Sequence, residues 1–337
     1  MNALRFTLTA TALSALLAGC GGTQGALSVA PSSVTANVAH VSHGTSWMAP
    51  EAKGDDLLYA TNSADVEVYS LPRRRHVGRL TGFQGADGAC VDGQGNVYIV
   101  DFDGSDIVEY AHGGTNPINT LADPNAYPEG CSVDPTTGNL AVANGLTALH
   151  SGNDFGNLAI YQNAQGAPTI YTDYSGMLWY GACAYDNSGN LFIAGFGGET
   201  RYDDVLAEMP SGTTAFTNIS FNQRFTAQTG IQFYGEDLLL ANVYGFDNTI
   251  MQVSVSGSTA SVVSTTTLNN VRAIDSFFVY GSTLIAPYKG HDPTRYGIGF
   301  WDYPEGGTVS HFIRFGRNKF QFGGVAVSVA PSHTRTR

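Results

Sequence analysis

The chain of 337 residues carries 16 Lys and Arg against 28 Asp and Glu, a net charge of −12, and such an acidic balance argues against a phosphate backbone as partner. Only 13% of its residues are charged, while Gly reaches 41, Tyr 17 and Phe 18. That composition excludes a helical body and favours many short strands joined by tight turns.

The first 19 residues read as a targeting segment. Arg5 supplies a sparse positive start, and the apolar run Phe6 to Leu16 is shorter than the roughly 20 residues that span a bilayer. Leu17-Ala18-Gly19-Cys20 then resembles the bacterial lipoprotein box. The resemblance implies cleavage before Cys20 and a lipid on its thiol. Residues 20–50, rich in Gly, Ser, Thr, Ala and Val and poor in charge, are expected to form a flexible tether, and residues 51–337 the folded domain. On this reading the protein is a monomer of a bacterial cell envelope, lipid-anchored outside the cytoplasm, meeting the membrane through that lipid only.

Beyond the tether, "DDLLYATN" and "DVEVYSLP" (residues 55–72) read as two strands, and the basic run Arg73-Arg74-Arg75-His76 as a solvated turn after them. A repeat begins at "GACVD", opening at Gly88. It returns at Gly130 in "GCSVD" and Gly181 in "GACAYD", then more faintly at Gly230, Ala273 and Gly323. The intervals of 42, 51, 49, 43 and 50 residues suit a blade-sized unit. Each copy but the last continues into a second strand, such as "GNVYIVD" or "GNLFIAG", and a third, such as "DIVEY" or "NLAIY". Turn signals and a more polar fourth strand follow. The last copy stops after one strand, and the missing strands stand at residues 55–72. A four-stranded blade cannot bury both faces alone, so it stacks between neighbours around an axis. The expected fold is an all-β, six-bladed β-propeller closed by the C-terminal strand joining the N-terminal blade. A seven-bladed count would need "SWMAP" to open a further blade.

"GACVDGQGNVYIVDFDGSDIVEY" resembles the NHL-repeat consensus, which implies the propeller fold and leaves function open. "ADGACVDGQGNVYIV" is also similar to the segment of gluconolactonase-type six-bladed enzymes in which an Asp before Gly binds a divalent metal. On that resemblance Asp87 and Glu129 are metal ligands, and Asn144 and Asn242 join them if they point inward. The asparagine positions of those enzymes are Tyr180 and Thr229 here, a departure from the pattern.

In a propeller, residues just before the inner strands lie at the channel mouth: Asp87, Glu129, Tyr180, Thr229, Arg272 and Phe322. Residues ending the second strands form another ring: Thr61, Asp101, Asn144, Gly195, Asn242 and Pro287. Oxygen ligands there would suit a hard cation; Asp101 and Asn144 equally suit turn caps. Tyr127, Trp179 and Tyr180 are aromatics near the rim that either stack on sugars or anchor a protein, or wedge between blades as packing, and Arg272 offers an anion contact. "DFDGSD" (residues 101–106) lacks the spacing of a calcium loop and reads as a hairpin. His291-Asp292, in the insertion with Lys289 and Arg295, is expected to be solvated. HExxH, paired CxxC, GxSxG and phosphate-cradling loops are missing from the sequence. Cys90, Cys131 and Cys183 are an odd set, expected as small buried hydrophobes rather than a disulfide.

The sequence therefore favours a binding or scaffold module for an unknown protein or glycan. No nucleic acid and no cofactor are expected. The alternative is a metal-dependent lactonase-type hydrolase using a divalent cation, calcium or zinc, at the channel mouth.

Overall fold

The turn after three of the inner strands is built by its own aspartate. Asp92 Oδ1 accepts the backbone N–H groups of Gln94 and Asn96 at 2.9 and 2.8 Å, and Oδ2 accepts the Asn96 amide. Asp186 repeats the arrangement with Ser188 and Asn190. Asp134 uses the hydroxyls of Thr136 and Thr137 instead of an asparagine amide. These side chains satisfy backbone donors that the reversal would orphan. Gly95 and Gly189 complete two of the turns at φ +86 and +82, where a Cβ would be strained.

A computed structural model describes residues 44–147, 155–172, 176–197, 203–225, 230–242, 248–274, 276–290, 296–315 and 323–331. Cys20, Thr229, Phe322 and residues 291–295 lie outside them. The described residues form strands and two short 3-10 turns, Pro50–Gly54 and Gln162–Ala164. No helix among them is long and apolar enough to cross a membrane.

The strands fall into successive antiparallel blades, each ordered from inner to outer. The first takes its inner strand from the C-terminus: Val325–Ser328 pairs with Asp56–Thr61, then come Ser63–Leu71 and the first half of the long strand Arg75–Val91. The second half of that strand is the inner strand of the next blade, followed by Val97–Asp101, Asp106–Tyr110 and Pro117–Ala122. The third runs Ala126–Val133, Leu140–Thr147, Asn157–Tyr161 and Thr169–Tyr171. The fourth runs Met177–Tyr185, Leu191–Gly197, Asp203–Met209 and Thr217–Phe221. The fifth is Ile231–Tyr234, Asp237–Asn242, Asn248–Ser256 and Thr259–Leu268. In the sixth, Phe278–Tyr280 and Val271–Ala273 both pair with Thr283–Gly290, followed by Tyr296–Asp302 and Gly306–Arg314. The fold is an all-β propeller.

Burial follows from that order. Alternate strand residues point to opposite sheet faces, so each blade covers one face of the next. Val100, Ile107, Val142 and Tyr161 fill the space between second and third blades. Leu58, Ile285, Phe300 and Val327 fill the space between sixth and first. The C-terminal strand is also fixed at its end. Ala330 N donates to Asp56 Oδ1 at 2.7 Å, and Ser328 Oγ, bonded to Gly95 O, lies 2.7 Å from His112 Nδ1.

Two expectations are corrected here. Residues 44–50 are not tether: Trp47–Met48 pairs with Arg79 and Gly78 as an added outermost strand of the first blade, so "SWMAP" opens no further blade. The free edge of that blade is the physical reason, and Met48 lies over the space that a side chain at Gly78 would need. The cysteines are not all thiols either. Cys90 and Cys131 form a disulfide with Cα atoms 5.6 Å apart, because equivalent positions of neighbouring inner strands face each other. Cys183 is free and buried, and burial pushes its thiol up to about 12. Of the basic run, Arg75 pairs with Glu51 at 2.8 Å and Arg74 lies over the Phe300 ring at 4.9 Å.

Candidate functional site at the channel mouth

The inner strands surround a cavity of about 1440 Å³. Among the described residues, every charged side chain lining it is acidic: Asp87, Asp103 and Glu129 towards one end, Asp56 and Asp92 towards the other. Asp56 and Asp92 serve the fold. Asp56 accepts the Tyr280 hydroxyl and the Ala330 N–H, and Asp92 builds its turn.

Glu129 is different. It lies on Ala126–Val133, and its Oε2 accepts the indole N–H of Trp179, from the next blade, at 3.0 Å. Gly145 makes room for both groups. A Cβ there would stand 2.4 Å from Glu129 Oε1 and 2.8 Å from the Trp179 ring, so only glycine permits the approach. Burial, and then the negative charge of Asp87, push the Glu129 carboxyl up to about 8, while the indole bond pulls the other way. Asp87 is held by its backbone, whose carbonyl accepts the Thr61 hydroxyl, and its side chain abuts Gly323.

Near the acids are part-exposed aromatics, of which Phe102 lines the cavity. Phe102, at the end of the second blade's second strand, lies 4.7 Å from Tyr127, centroid to centroid, with ring planes 30° apart. Trp179, on the fourth blade, is also part-exposed. Phe102 was not singled out in the sequence; its place after Asp101, at the hairpin tip beside the mouth, was the available signal.

Asp87 and Glu129 both line the cavity, whereas Tyr127, Trp179, Tyr180, Asn144 and Asn242 do not. Tyr180, expected at the rim, is fully buried and packs on Phe216 at 6.1 Å; strand alternation turns it inward while Trp179 turns out. Asn144 is fully buried too, donating to Asn157 Oδ1 at 2.8 Å. Asn242 is part-buried at its strand's end, and neither asparagine lines the cavity. Two members of the ring of second-strand ends serve the backbone: Asp101 accepts the N–H groups of Gln84, Gly85 and Gly104, and Thr61 bridges to Gly324. Asp101 and Asp106 pair to close the expected hairpin. Arg272 lies on Val271–Ala273, and its side chain is not among those described. No group of three or more His, Cys, Asp or Glu side chains among the described residues converges to hold a metal ion.

Comparison with known proteins bears on the fold. No protein-family model matches the sequence, and no curated protein matches it. The chain is similar to a chain in the crystal structure of a nidogen/laminin complex, with a TM-score of 0.63 at 12% identity over 82% of this chain and 99% of that one. It is also similar to a Bacteroides caccae protein of unknown function, with a TM-score of 0.56 at 12% identity over 81% and 99%. Likeness at such identity shows shared architecture and no shared activity.

Proposed function

We propose that the chain is a binding module of a bacterial cell envelope, presenting one end of its propeller to a protein or glycan. The carrying observation is the pairing of the part-exposed rings Phe102 and Tyr127 on neighbouring blades, with the Trp179 indole bonded to Glu129 at the cavity wall. Aromatic rims on rigid scaffolds bring large contact area at small entropic cost. The nidogen/laminin neighbour belongs to a protein complex, which is compatible with a propeller used for binding. The repeated Asp turns support an NHL-like ancestry for the blades. Lipid attachment at Cys20 rests on the Leu17–Cys20 motif, and the Cys90–Cys131 disulfide supports an oxidising compartment.

The test is a panel of immobilised peptides and oligosaccharides probed with purified protein, its Trp179→Ala and Tyr127→Ala variants and an Ile118→Ala control on an outer strand. Loss of at least tenfold in affinity for the two rim variants alone is expected. Equal binding by all variants would move the partner off this rim. The hydrolase reading keeps two of its four proposed ligands at the cavity, and stoichiometric calcium or zinc lost on Asp87→Ala would restore it.

A further inference from the structure

We propose that the cleft between the fourth and fifth blades docks an arginine side chain of a partner polypeptide, its guanidinium lying on the Phe233 ring between the carboxylates of Glu208 and Glu236. The cleft lies at the end of the wheel where inner strands turn into second strands, away from the mouth that holds Asp87 and Glu129. The inference therefore stands apart from the function proposed above.

The cleft is apolar between acidic walls. The fourth blade gives Phe192, Glu208 and Asp186, and the fifth gives Phe233, Leu238 and Glu236, around a cavity of about 280 Å³. That volume falls just below the roughly 300–1,000 Å³ of common ligand pockets, so it suits one side chain rather than a whole sugar chain. The rings of Phe192 and Phe233 are stacked across the two blades, centroids 6.3 Å apart and planes within 8°. Phe192 is buried, whereas Phe233 is part-exposed and offers its surface. Every charged side chain on the walls is a carboxylate, which excludes an anion. Asp186 uses its oxygens on its own turn and adds only its field. Glu236 is exposed at the tip of the fifth blade's first turn.

The second blade shows what the fourth lacks. There the same register sets Tyr98 opposite Glu109, and the Tyr98 hydroxyl donates to Glu109 Oε1 at 3.1 Å. In the fourth blade Phe192 stands opposite Glu208, and phenylalanine has no hydroxyl to donate. Glu208 lines the cleft instead, with Asp186 as the charge acting on it and no hydrogen bond to its carboxylate among the described residues. Such a carboxylate is stabilised by a cation that brings its own N–H donors. Arginine fits both ring and walls, because a planar guanidinium stacks on an aromatic face while its fork binds a carboxylate. The protein makes each contact elsewhere with its own arginines. Arg74 lies 4.9 Å over the Phe300 ring, and Arg79 reaches the two Glu67 oxygens at 3.0 and 3.3 Å. A hard metal ion takes about six to eight oxygens, and no three-residue ligand group converges among the described residues.

The probe is acetyl-Gly-Arg-Gly-amide, titrated into the full chain and followed by methyl NMR at Leu238, Val253 and Val255, which line the cleft. Counterparts with lysine, citrulline or glutamate in place of arginine are run beside it, with calcium chloride. Saturable shifts confined to those methyls are expected for the arginine peptide. Lysine should bind about fivefold more weakly, since it loses the flat stack and the fork. Citrulline, which keeps the shape and lacks the charge, should not bind, nor should glutamate. Glu208→Gln and Glu236→Gln should each weaken arginine binding about tenfold. Phe192→Tyr should weaken it as well, by giving Glu208 the internal donor that Glu109 has. Tyr127→Ala, near the channel mouth, should leave it unchanged. Should Glu208→Gln misfold, Glu236→Gln carries the test, because Glu236 is exposed. Citrulline binding as tightly as arginine, calcium moving the same methyls in place of the peptide, no saturable shift at them, or an affinity unmoved by the glutamine variants would each overturn the proposal. Failure of arginine binding here leaves the binding-module reading intact, since that reading is decided by Tyr127→Ala and Trp179→Ala.

Discussion

Val327→Ala tests whether the two ends of the chain hold the wheel of blades together. Val327 is 4% exposed and packs among Leu58, Ile285, Ile298 and Phe300, so it contacts first and sixth blades at once. Removing two buried methyl groups costs about 1.6 kcal/mol in transfer, and the cavity left behind adds up to about 1 kcal/mol where neighbours cannot relax. A loss of about 2–2.5 kcal/mol corresponds to a Tm lower by about 3–4 °C at this size. Val263→Ala is the matched control, since Val263 is 58% exposed on an outer strand and should change stability by less than about 0.5 kcal/mol. Differential scanning calorimetry of both variants decides the matter. A Val327→Ala midpoint within 1 °C or so of the Val263→Ala control would mean that the seam between last and first blades bears little of the stability, and the closure argument would fail.

Three further outcomes are expected. Replacing Cys90 and Cys131 by serine opens a cross-link of sequence separation 41, which chain entropy values at about 4 kcal/mol; an unchanged urea midpoint on adding reductant would contradict a stabilising staple. Glu129, pushed up to about 8 from an ordinary 4.5, binds its proton more tightly folded than unfolded, so its stabilising contribution is full in acid and lost as pH rises from about 4.5 through about 8. Glu129→Gln should flatten that part of the Tm–pH curve, whereas an identical slope in the variant would assign it to other groups. His112, half-buried between Asp55 O and Ser328 Oγ, is held below its ordinary value chiefly by desolvation. Its contribution is present above about 6.5 and lost as pH falls from there towards the folded value, and His112→Asn should remove that acid-side loss in a fluorescence-monitored unfolding series.

The blades were legible because their determinants are local. An Asp at the end of one strand and an Asn four residues on specify the turn, as Asp92–Asn96 and Asp186–Asn190 show, and alternation sets which face is buried. Pairing of the tail with residues 57–60 was legible too, since the first blade lacked an inner strand and the tail supplied one. Contacts between blades were not. Sequence placed Glu129 and Trp179 near the mouth but gave no sign that one donates to the other across Gly145. Tyr180 and Trp179 looked alike as rim aromatics, and only the bulges along Met177–Tyr185 decide which of two consecutive residues faces out. The disulfide was written in the repeat itself, because Cys90 and Cys131 hold the same position in consecutive copies, yet an odd count of thiols masked it.

The strand Arg75–Val91 leaves one sheet and enters the next without a loop between them. A protease therefore finds no linker at which to part those two sectors, and a tensile load on one passes directly along a single extended backbone into the other.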